Sequence, residues 1–203
     1  MVLTGAGVTF SAGQDLSEAV QAGDQSYCDH LLQTYNPLVM QIRRLEKPVL
    51  AAINGAVSGA ALGLALACDL RIAADTARLV VGFLGIRLVP DSGVSLLLPV
   101  LVGLGRAGEL AYFNAPIHAA QGLAWGLFNR VVPAADLPKE TLVWAKKLSQ
   151  GPIQTIGLTK RAFNKAMLSN LEEVLDYETH LQEIAHQGAE HQAALHAFKE
   201  KHL

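Results

Sequence analysis

Early in the sequence, from Pro48 to Cys68, the chain carries no charged side chain, and Gly55, Gly59 and Gly63 recur within it at every fourth position. A membrane span needs about 20 apolar residues, and small residues at this spacing form the packing face of such helices. Yet Ala and Gly dominate, Asn54 and Ser58 interrupt the run, and no aromatic belt or basic flank follows. A phosphate-binding loop would need Lys followed by Ser or Thr after its glycines, and none is there. The punctuation is met best by strand Val49–Ile53, a turn at Asn54-Gly55, a buried helix from Ala60 to Cys68 and a strand Leu70–Ala74.

A glycine turn opening a helix of small residues has a chemical use. The first backbone N–H groups of a helix lack intrahelical partners and lie at the positive end of its dipole. Small side chains let a substrate oxygen reach them, so the place can hold a developing oxyanion. The same spacing serves close helix–strand packing equally well, and the residues alone leave both readings open.

A formal charge of −2 argues against non-specific nucleic-acid binding. Cys28 and Cys68 lie far apart without metal spacing, which argues against a disulfide scaffold or a zinc site. Met1–Thr4 shows no basic start or long apolar region of a secretory signal, so the cytoplasm is the expected location.

Met1–Leu3 reads as a strand, and Gly5-Ala6-Gly7 as half of a dinucleotide fingerprint that fails at Phe10. Leu16 to Leu45 is helical in pattern, with a polar break around Gly23–Ser26 and a kink or restart at Pro37; Arg43 and Arg44 read as a solvated face. Arg78–Phe83 is a second short strand, and Pro90-Asp91-Ser92-Gly93 turns into helix Val94–Val102. Helices Arg106–Phe113 and His118–Gly126 and strand Phe128–Val132 follow. From Ala135 the pattern is helical throughout, with helices Leu137–Gln150, Ile153–Leu168 and Leu171–Gln187 and one more through Phe198. Strands first and helices later predict a layered α/β core with a helical C-terminal lobe.

Between Asp75 and Glu109 the only carboxylate is Asp91, set among Leu88, Val89, Pro90, Val94, Leu96 and Leu97. Poor solvation raises a carboxyl pKa, which suits a general acid or base near neutral pH. Beside an oxyanion site that pairing fits proton transfer next to a carbonyl. The competing reading is that Asp91 caps the helix that follows.

Several segments together resemble the crotonase (enoyl-CoA hydratase/isomerase) superfamily: Leu3-Thr4-Gly5-Ala6-Gly7, Phe10 to Leu16, Lys47-Pro48, Asn54-Gly55 and Cys68-Asp69-Leu70-Arg71. Within it, Gly13-Gln14-Asp15 and Pro90-Asp91-Ser92-Gly93 look most like the epoxyphenylacetyl-CoA isomerases of phenylacetate degradation. The resemblance implies a ββα spiral core over residues 1–134 and a helical oligomerisation lobe over 135–203. It also implies homotrimers or hexamers, acyl-CoA thioester substrates in phenylacetate or fatty-acid breakdown, and no metal or separate cofactor. Carried over by motif, the backbone N–H groups of Ala12 and Ala60 form the oxyanion hole. Ala12, Gly13, Gln14, Asp15, Ala60 and Phe83 line the substrate path, and Asp91 is the acid/base. The two glutamates of the hydratases fall at Gly63 and Phe83, which cannot move a proton. The family carries further strands and a basic segment ahead of the position of Leu3 and runs on past Leu203, so the chain is expected to be shortened. An isomerase is the expected activity, with a hydratase and a non-catalytic acyl-CoA-binding or assembly subunit as the alternatives.

Overall fold

The computed structural model describes residues 1–15 and 26–202. The start of the helix expected from Leu16, and its break at Gly23, lie outside the described residues. Two four-stranded sheets stack along a spiral. The first runs β1 (Val2–Thr4), β3 (Leu50–Ile53), β5 (Leu70–Ala74), β8 (Arg130–Val132), all parallel. The second runs β2 (Thr9–Ser11), β4 (Ala56–Ser58), β6 (Arg78–Val80), β7 (Ile117–His118), with only the last pair antiparallel. Each pass of the chain lays one strand in each sheet. The second pass adds helix α3 (Ala60–Ala67), the ββα unit expected from the resemblance.

Every residue of β3 is buried, as a parallel strand covered on both faces requires. Its alternation divides the work. Leu50 and Ala52, with Ile72 and Ala74 of β5, meet Leu137, Trp144 and Leu148 of α7 (Leu137–Ser149). Ala51, Ile53 and Ala73 face the main core instead. Helix α3 is apolar all round and almost wholly buried, which its small side chains allow by admitting neighbours closely. It lies between α2 (Tyr35–Arg44) and α4 (Val94–Val102), after which α5 (Leu104–Phe113) and α6 (Ala119–Ala124) lead to β8.

Three local features depart from the sequence reading. The presumed glycine turn contains β4, a strand too short and too interrupted by glycine to show as a periodic run. The break after α1 (Tyr27–Gln33) comes at Thr34; Pro37 sits in the first turn of α2, where its missing N–H costs nothing. The expected strand Arg78–Phe83 ends at Val80, and Phe83–Ile86 forms a single 3₁₀ turn.

Arg43 is no solvated cation. It pairs with Asp69 at 3.1 Å, and it also donates to Ala67 O and to Asn164 of α8 (Ile153–Met167). Lys160 of α8, itself buried, reaches Asp69 Oδ2 at 2.8 Å and Ile42 O at 2.7 Å, and Val49 N–H donates to the same carboxylate at 2.8 Å. Arg44 does stay exposed, paired with Glu172. Asp69 therefore joins α2, α8 and the start of β3 through one carboxyl. Asp69→Ala strands two largely buried cations and is expected to cost about 3–5 kcal/mol in urea unfolding.

Candidate active site

The segment after β2, the start of α3 and the turn before α4 converge on a cavity of about 520 Å³. Ala12, Gly13, Gln14, Asp15, Ala60, Phe83 and Asp91 all line it, so every site residue expected from the sequence falls on one surface. Tyr27, His30 and Tyr35 from α1 and α2, and Gln182 from α9 (Leu171–Gln187), complete the wall. Among the described residues no group of three or more His, Cys, Asp or Glu side chains is placed to hold a metal ion, and no helix is long and apolar enough to cross a membrane.

Gly13 makes the approach of the first two segments possible. It has φ +93°, and a Cβ there would lie 3.0 Å from Ser58 O and 3.1 Å from Ala60 N. A side chain would push the Ala12–Gly13 backbone away from the helix start. Ala60 is the first residue of α3, and its N–H precedes the first bond of the helix, which Leu62 makes to Gly59 O at 2.9 Å. Gln14 is anchored on the opposite wall. Its Oε1 accepts from His30 Nε2 at 2.8 Å and from Tyr35 Oη at 3.2 Å. Asp15 is exposed, and Phe83 is a buried apolar wall.

Asp91 is 4% exposed. Ser92 donates to its Oδ1 at 2.8 Å and Gln182 Nε2 to its Oδ2 at 2.7 Å. Burial pushes its carboxyl up to about 6, against the two donors that pull it down. Its side chain caps nothing: Gly93 is the N-cap residue of α4 and has no side chain to offer. The cap comes from α9, where Glu178 accepts from Gly93 N–H at 2.7 Å and Ser95 N–H at 2.9 Å, and from the Ser95 hydroxyl. Glu178 is itself buried, which pushes it up to about 7, and the nearby Asp91 charge adds to the rise. Ser92 has φ +55°, a left-handed conformation uncommon outside glycine that here turns its hydroxyl back to the Asp91 carboxyl.

The turn rests on Gly63. A Cβ at that position would lie 2.2 Å from Ser92 O and 2.6 Å from Ser92 Cβ. No larger residue fits at 63 while the turn holds its shape, so a glutamate there and Asp91 in its present place exclude one another.

Sequence reasoning did not find Gln182 or Glu178. A signal existed: the buried stripe Leu171, Leu175 continues at helical spacing onto Glu178 and Gln182, two polar residues where apolar ones belong.

Comparison with known proteins agrees with this architecture. The profile of the enoyl-CoA hydratase/isomerase family matches residues 1–203. The chain belongs to the enoyl-CoA hydratase/isomerase family. It is 36% identical to the 1,2-epoxyphenylacetyl-CoA isomerase of Escherichia coli (strain K12), over 99% of this chain and 78% of that protein. It is 37% identical to a Rhodobacter capsulatus protein described as "Probable enoyl-CoA hydratase", with the same coverage. The crystal structure of an enoyl-CoA hydratase from Mycobacterium avium subsp. paratuberculosis K-10 superposes with a TM-score of 0.86 at 32% identity, covering 98% of this chain and 76% of that one.

Two predictions follow from this geometry. Gly63→Ala forces the turn to shift and is expected to lose about 1–3 kcal/mol of stability in urea unfolding. Asp91 and Glu178 both hold their protons more tightly folded than unfolded, so the folded chain binds more protons between their ordinary and raised values. Their stabilising contribution is complete below the ordinary values and is lost as pH climbs through about 6 and about 7. For Asp91 it is on the order of 3 kcal/mol, and Asp91→Asn is expected to flatten that part of the decline in urea titrations from pH 4 to pH 8.

Proposed function

We propose that the protein is an acyl-CoA isomerase that shifts a double bond, or opens a ring epoxide, in a CoA thioester. The backbone N–H groups of Ala12 and Ala60 donate to the thioester oxygen and Asp91 moves the proton. The observation that carries this reading is a single buried carboxyl, raised to about 6, facing the same cavity as the N-terminus of α3. At neutral pH such a group is ionised enough to remove a proton from carbon, and its conjugate acid is acidic enough to return it. The bond from C2 to hydrogen breaks and its electron pair moves toward the thioester oxygen. The protonated Asp91 then delivers the same hydrogen at C4, and the double bond comes into conjugation. CoA enters as part of the substrate, and no separate cofactor is invoked. In keeping with the resemblance, we propose a trimeric or hexameric assembly.

Water addition is the second reading, favoured by the hydratase names among the relatives. It needs one group to activate water and another to protonate carbon. The described carboxylates lining the cavity are Asp91, buried, and Asp15, exposed, which supports isomerisation over hydration.

Asp91→Asn is expected to lower kcat/KM for a 3-enoyl-CoA by about 100- to 10,000-fold, the usual worth of a positioned acid/base, while acyl-CoA binding in calorimetry persists. Full isomerisation by this variant overturns the reading. Water addition to crotonyl-CoA at a rate above isomerisation, lost in Asp91→Asn, favours the hydratase. In the unaltered protein the ionised carboxyl is the active form, so kcat/KM is expected to rise with pH through about 6 and then level off.

A further inference from the structure

Asp91 presents two oxygens, and its partners treat them differently. Gln182 is fully buried on α9, one turn beyond Glu178. Its Oε1 accepts from Val89 N–H at 3.0 Å, and a backbone N–H can only donate. That fixes the carboxamide, so its NH₂ is the group facing Asp91 Oδ2 at 2.7 Å. An oxygen that accepts from a group able only to donate cannot also carry a proton toward it. Oδ1 has a different neighbour: the Ser92 hydroxyl, at 2.8 Å, donates in one rotamer and accepts in another. It can follow Oδ1 through both protonation states without leaving its place.

We infer that Gln182 is a positioning residue that holds Oδ2 of Asp91 as a permanent acceptor and so assigns proton pick-up and return to Oδ1, with the Ser92 hydroxyl rotating in step. The inference rests on the reading of Asp91 as the acid/base group. In the forward step the C2–H bond breaks, its proton goes to Oδ1, and its electron pair passes to the enolate oxygen held by the Ala12 and Ala60 N–H groups. On return the O–H bond breaks and a C4–H bond forms from the enolate pair, so no other reactant is consumed. Because Oδ2 stays fixed to Gln182, the carboxyl does not rotate between the two half-steps, and one oxygen serves both carbons.

Among the described residues, the groups around Asp91 that titrate or carry charge are Tyr27 of α1, Glu178 of α9, and Asp15, His30 and Tyr35 across the cavity. His186 and His191 stand behind Tyr27 with their rings against it. Of these, Glu178 bonds to the turn's backbone and the Ser95 hydroxyl and leaves both Asp91 oxygens to Ser92 and Gln182.

Gln182→Glu separates the two contacts of the carboxamide. It keeps length and an acceptor for Val89 N–H but replaces the donor to Asp91 with a second carboxyl. The expected result is an upward displacement of the acid limb of kcat/KM for a 3-enoyl-CoA by at least tenfold in proton concentration, with kcat at neutral pH falling more than KM rises. Gln182→Met, which adds no charge, is expected to move the limb the same way by less. A limb left at the wild-type midpoint in either variant, or a loss of activity equal at all pH values, overturns the assignment. The two readings fail separately. If Asp91→Asn still isomerises, the acid/base role of Asp91 falls and this inference with it. If Asp91→Asn is inactive while Gln182→Glu keeps the wild-type midpoint, only the role of Gln182 falls.

Discussion

Two side chains one turn apart on α9, Glu178 and Gln182, grip the segment from Val89 to Ser95 from outside its own stretch of chain. That segment could not hold itself. Ser92 and Gly93 are consecutive left-handed residues, α4 begins without a capping side chain, and Asp91 is a carboxyl nearly sealed from water. Each of these is costly alone. Together they persist because a helix from the far end of the sequence supplies the acceptors and the donor that the turn lacks. The chemistry proposed at Asp91 therefore depends on the docking of α9 as much as on the sheets that carry the cavity.

The sheets contribute by bringing backbones close. Gly13 admits the chain after β2 to the start of α3, and Gly63 admits the turn before α4 to the middle of the same helix. Helix α3 thus meets one cavity-lining segment at its N-terminus and another at its side, and its small residues are what let both arrive. The Asp69 carboxyl, joining Arg43, Lys160 and Val49, keeps α2 and α8 aligned around it.

Much of this was legible in the sequence because it is local. The uncharged run from Pro48 to Cys68 marked a buried strand and helix, and strand Leu70–Ala74 and helices Val94–Val102 and Leu171–Gln187 have the bounds their patterns predict. Asp91 stood out because its neighbours are apolar, and desolvation is a property of neighbours. What stayed hidden is what only tertiary structure creates. Strand β4 is three residues held parallel between β2 and β6, with no periodicity of its own. Arg43 reads like its exposed neighbour Arg44 until α8 brings Asn164 against it. Gln182 and Glu178 continue the stripe that Leu171 and Leu175 bury, so their burial was legible, but the groups they hold are set only when that helix docks on the turn.

The contact between Gly63 and the carbonyl of Ser92 also bears on ancestry. A descendant of this chain cannot gain a carboxyl at position 63 by one replacement, because the bend carrying Asp91 already fills the space. It would first have to unbend Pro90–Gly93 and move Asp91 out of its present place. On the role proposed for Asp91, every such intermediate lacks a placed proton carrier, so the two arrangements cannot be exchanged one residue at a time.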